Sequence, residues 1–112
     1  MSRAWLTHQR VIDENPEVLA GAIQAANDTF DYFHNTSVTD IANALLPDFD
    51  GTTIETLEQA ISEDLAIAIP KSVVLSRAAY EADQQIFVRA GLLEEEIPFE
   101  TGVDGTWAGV ED

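Results

Sequence analysis

The sequence predicts an all-α fold, and three observations carry that expectation. Apolar residues recur at three- and four-residue steps along most of the chain. Helix-start signals stand just ahead of those runs, at Asn15-Pro16, Ser37, Thr52 and Ser76. The β-prone run Val73-Val74-Leu75 is too isolated to make a sheet by itself. The expected architecture is about five helices, at 3–14, 16–34, 38–46, 53–66 and 77–90. They form a helical domain over 1–93, followed by an irregular acidic C-terminal arm over 94–112.

Each element has a local reason. Trp5, Leu6, His8 or Gln9 and Ile12 recur near helical spacing, which predicts a short first helix. Asn15-Pro16-Glu17 then resets the chain: Asn caps, Pro suits the first helical position, and Glu suits the positive end of the helix dipole. In the second helix Leu19, Ala22, Ile23, Ala26, Phe30 and Phe33 form one stripe, with Gln24, Asn27, Asp28 and Asp31 mainly opposite. Ser37-Val38-Thr39-Asp40 starts the third as a variant capping box, turning Val38, Ile41, Ala42 and Leu45 inward until Pro47. Asp48-Phe49-Asp50-Gly51 is turn chemistry.

Thr52-Thr53-Ile54-Glu55 opens the fourth helix as a Thr-x-x-Glu capping box with Thr52 as the cap, and Ile54, Leu57, Ala60 or Ile61 and Leu65 form its buried face. Residues 66–76 read either as a helix end or as a short extended stretch. Ser76 caps the last helix, whose expected inward residues are Ala79, Tyr80, Ala82, Ile86, Phe87 and Ala90, and Gly91 is the expected C-cap glycine. In the arm, Ile97, Phe99, Val103 and Trp107 are scattered anchors.

Charge narrows the range of partners. Twenty-one Asp and Glu against five Lys and Arg give a formal charge of −16. Nucleic acid and anionic membrane surfaces both require clustered cations, so neither is an expected partner. The absence of cysteine excludes disulfides, thiol catalysis and cysteine-based zinc sites. No apolar run approaches the roughly 20 residues of a membrane span. Residues 1–8 lack the apolar core of a signal peptide, so an exporting segment, if the protein is exported, is expected outside this sequence.

The same residues offer little chemistry. His8 and His34 share no ligand spacing; His34 with Asp31 and Asp28 is the one conceivable metal grouping, and a histidine favourably placed at a helix C-terminus is the simpler account. Asp48-Phe49-Asp50-Gly51 resembles the start of a calcium loop, but the later ligand positions are out of register. The glycines are dispersed, which leaves no phosphate loop, and no serine stands in a nucleophile elbow. No catalytic, cofactor-binding or metal residue is therefore assigned, no cofactor is implied, and an enzyme is not expected.

The order of signals does resemble a known family. A helix break at Asn15-Pro16-Glu17-Val18 is followed by an alanine-rich amphipathic helix, then a short helix with Ile41-Ala42. A loop runs through Pro47 to Gly51, and a capped helix leads on to Leu65. Next come a Ser76-capped helix ending in Ala90-Gly91-Leu92-Leu93, and Phe99, Val103-Asp104 and Trp107. Over about residues 3–108 this is similar to the C-terminal portion of ABC-transporter substrate-binding proteins. The group is that of nitrate, sulfonate and taurine binders, which also includes binders of thiamine pyrimidine precursors.

That resemblance implies a two-lobe α/β substrate-binding fold in the full-length protein, of which this chain corresponds to the closing helices. It implies a scaffolding role with no complete ligand site. It also implies a periplasmic or cell-surface location, with the remainder of the binding protein and an ABC permease as partners. The alternative is a self-standing acidic helical interaction module, with a second copy as partner in a homodimer.

Overall fold

Local capping decides where most helices begin. The computed structural model describes residues 5–112. Ser37 accepts a hydrogen bond from the Asp40 amide, Thr53 from the Thr56 amide and Ser76 from the Ala79 amide. Each satisfies an amide that the first helical turn leaves unpaired, at a benefit of about 1 kcal/mol. The helices are α1 (Gln9–Glu14), α2 (Pro16–Asn35), α3 (Val38–Leu45), α4 (Ile54–Ile67), α5 (Arg77–Arg89) and a single turn, α6 (Phe99–Gly102). A 3-10 turn, Leu46–Asp48, continues from α3.

The molecule is mostly helical, in keeping with the expected class, and adds one small sheet: β1 (Val74–Ser76) and β2 (Gly109–Glu111) form a two-stranded parallel pair, with Leu75 opposite Val110. The arm is accordingly not irregular throughout, since it holds both α6 and β2. Each strand has only three residues, so neither is distinguishable from loop by its own pattern; the pairing is a property of two distant segments. The first helix is also shorter than expected. Residues 5–8 are exposed and non-helical, and residues 3–4 lie outside the described residues. With no burial to offset the cost of nucleation, periodicity alone does not make those residues helical.

The chain divides into two compact units, residues 24–72 and residues 1–23 with 73–112. The sequence-based boundary at residue 93 falls inside the second of these. In the 24–72 unit, α3 packs on α4 around Ile41, Ala42, Leu57 and Ile61, and Phe33, Val38, Leu45, Leu46, Ile54 and Leu65 surround that cluster. Thr39 donates to Glu58 at 2.6 Å, joining the two helices at their surface. Gly51 takes φ 80°, which permits the turn that precedes Thr53.

In the other unit α5 ends in a Schellman motif. Gly91 has φ 73°, its amide donates to the Val88 carbonyl, and the Leu92 amide donates to the Phe87 carbonyl at 2.9 Å. Burial on α5 departs from the periodic reading. Ile86 is 57% exposed and Phe87 40%, whereas Gln84 is buried. The reason is a hydrogen bond: the Gln84 side-chain oxygen accepts from the Ile97 amide, which turns this face of the helix toward residues 97–99.

Candidate functional site

The most organised group of polar side chains is built on Arg77. Ser76 is both the last residue of β1 and the cap of α5, so the capping bond makes Arg77 the first helical residue. From there its guanidinium reaches Glu100 of α6 at 2.7 Å, with Asp112 at 3.9 Å and Glu81 one turn along α5 at 4.0 Å. It also lies over the ring of Phe99, 4.2 Å from the centroid. Tyr80 meets the same ring edge-on at 5.4 Å. Phe99 is buried, so the cation rests on an apolar floor while its carboxylate partners remain exposed.

This arrangement ties β1–α5, α6 and the residue after β2 together. Arg77, Glu81, Gln84, Glu96, Phe99 and Glu100 are among the residues lining a shallow depression of about 280 Å³. The backbone around Glu100 and the Arg77 guanidinium hold the Glu100 carboxyl below the usual glutamate range. Hydrogen bonds from the Thr106 side chain and amide do the same for Asp104. Chemically, the group pairs one cation with several carboxylates. Arg77 cannot act as a proton donor near neutral pH. Its charge is already met by Glu100, so it is a poor anion receptor.

The histidine considered from sequence is used differently. The His34 Nε2 lies 3.2 Å from the Ile69 carbonyl and 3.0 Å from the Pro70 carbonyl. Two acceptors facing one ring nitrogen require that nitrogen to carry a proton, so Nε2 is committed to the backbone and is not a free ligand. Asp28 accepts from Gln24, and the Asp31 carbonyl accepts from the Asn35 side chain. Among the described residues no three His, Cys, Asp or Glu are grouped to hold a metal. His8 precedes α1 and its carbonyl accepts from the Val11 and Ile12 amides. Asp48 to Gly51 forms the turn expected of it.

Sequence reasoning missed the Arg77 group. Its one local trace is the i,i+4 pair of Arg77 and Glu81, because Phe99, Glu100 and Asp112 are too distant along the chain for spacing to connect them.

No helix is long and apolar enough to cross a membrane, among the described residues. No family model matches the chain, no curated protein matches it, and no solved structure matches its fold.

Proposed function

We propose that this chain forms the C-terminal helical portion of an ABC-importer solute-binding protein of the nitrate, sulfonate and taurine type. Its role is to scaffold one part of that receptor, and the solute pocket lies in the rest of the protein. The carrying observation is the parallel strand pair. Parallel sheets occur almost only in α/β proteins with both faces covered, yet all of β2 is exposed here and Val110 retains 45% of its accessible surface. A pair of three-residue strands is also too small to be stable alone.

Helix burial supports the same reading. On α2 the apolar stripe Leu19, Ile23, Ala26, Phe30 and Phe33 is only half-buried, and none of its twenty residues is fully covered. On α5 the apolar residues Ile86 and Phe87 face solvent. These are the surfaces that an additional α/β layer would cover. On this reading the chain works in the periplasm or at the cell surface, beside an ABC permease, and does no catalysis of its own.

The test is the nucleotide sequence ahead of the codon for Met1. An in-frame extension through α/β strands to an export signal is the expected result. A promoter and ribosome-binding site directly ahead of Met1 would overturn the reading.

A second reading is a self-standing acidic interaction module that forms a homodimer. It is favoured by exposed apolar residues such as Ile67 (87%) and Leu92 (72%). Light scattering separates the cases: a dimer at micromolar concentration supports the module, and a clean monomer that binds no hydrophobic dye removes it.

A further inference from the structure

The two units have the same formal charge but meet it by different means. Residues 24–72 contain nine Asp and Glu against Lys71 alone, which gives −8; residues 1–23 and 73–112 contain twelve against four Arg, which also gives −8. Among the described residues, every ion pair falls in the second group: Arg10 with Glu14, and Arg77 with Glu81, Glu100 and Asp112. None falls within residues 24–72.

The imbalance is sharpest on α4. Glu55 and Glu58 are one turn apart, and like charges at that spacing repel. Asp64 lies in the last turn, with Glu63 beside it and no basic residue there, so both acids face the negative end of the helix dipole. By contrast, Arg89 occupies the last turn of α5. Asp40 adds a further carboxylate on α3, the helix packed against α4. The apolar cluster at Ile41, Ala42, Leu57 and Ile61 thus holds together two helices whose charged side chains are all negative, of which Asp40 and Glu55 sit in first turns that the helix dipole favours.

We propose that ionic strength is a conformational control on this chain and that it acts selectively on residues 24–72. Screening relieves the repulsion on α3 and α4, and that unit has no ion pairs to lose. In the other unit the same screening relieves repulsion but also weakens the Arg77 pairs, so the two effects offset. The inference rests on charge placement alone and does not depend on the importer reading.

Residue-resolved amide hydrogen exchange on the full chain tests it. Between about 0.01 M and 0.3 M NaCl the screening length falls from about 30 Å to several ångströms. Over that range protection of the α3 and α4 amides should rise about tenfold, and that of α5 and α6 by less than about threefold. Equal changes in both units, or no change in α3 and α4, would overturn the proposal. Chlorides of sodium, potassium and tetramethylammonium should act alike; an effect confined to one cation would replace screening with specific binding and also overturn it. Asp64→Lys should raise α4 protection at low salt and shrink its salt response. A full salt response in that variant would count against the assignment to α4.

Discussion

The 24–72 unit is held by apolar packing, and the unit formed by 1–23 and 73–112 is held largely by polar and aromatic contacts. In the first, four buried aliphatic and alanine side chains form one cluster between α3 and α4. In the second, the buried residues among those described are Phe99 and Gln84, one stacked under a cation and the other hydrogen-bonded to backbone. Apolar burial is non-directional and tolerates surface change, whereas the Arg77 arrangement depends on geometry at several residues at once. The contrast teaches that one small chain can use two stabilising strategies, and it makes the two units respond differently to the same perturbation.

The largest expected effect comes from opening the apolar cluster. Ile41 is 1% exposed, and Ile41→Ala should cost about 3 kcal/mol through lost transfer energy and the cavity left behind. Urea denaturation followed by circular dichroism measures it; a loss below about 1 kcal/mol would mean that the cluster collapses around the gap.

Next is Gly102→Ala. A Cβ at Gly102 would run into the Tyr80 hydroxyl, and Tyr80 is fixed against Phe99. The expected cost is about 2 kcal/mol, typical of overpacking. Adding Tyr80→Phe should recover part of it in a double-mutant cycle, and strict additivity would show that the close approach is not the cause.

Arg77→Met should cost about 1 kcal/mol at low salt, combining a cation–π contact with solvent-exposed ion pairs. At about 1 M NaCl, where the screening length is near 3 Å, the difference from the parent should shrink. Thermal melts at the two salt concentrations decide this, and an undiminished difference would assign the stabilisation to packing by the side-chain stem.

The smallest effect is pH dependence in the same unit. Glu100 and Asp104 titrate below their ordinary values of 4.5 and 3.8. In that range the unfolded chain binds more protons than the folded one, so their contribution is present above these values and is lost as pH falls through the lowered ones. Protonating the many other carboxylates relieves repulsion and acts in the opposite sense, so the informative quantity is the difference from Glu100→Gln. Melts between about pH 2 and pH 6 should show the parent losing its advantage over that variant as the solution becomes more acidic.

Those contrasts also explain what could be read from the residues beforehand. Ser37 and Ser76 act within three residues of themselves, and Gly91 within its own turn, so those helix ends are legible, whereas α4 is capped by Thr53 rather than by the expected Thr52, one residue earlier. The inward faces of α3 and α4 were legible because both helices bury their stripes against one another. On α5 the same rule failed at Ile86 and Phe87, since periodicity identifies an apolar face but not whether anything covers it. The β1–β2 register and the convergence on Arg77 join segments separated by most of α5 and the arm, and no local signal encodes either.

The parallel pairing of β1 with β2 also fixes an order of assembly. Contacts between α3 and α4 close over a short stretch of chain, so they form early and at low entropic cost. Residues 109–111 are synthesised long after 74–76, so β1 has no β2 to pair with until nearly the whole chain has left the ribosome. In refolding, fluorescence from Trp107, two residues before β2, should lag behind the helical circular-dichroism signal; simultaneous change would show that the distant pairing forms with the helices.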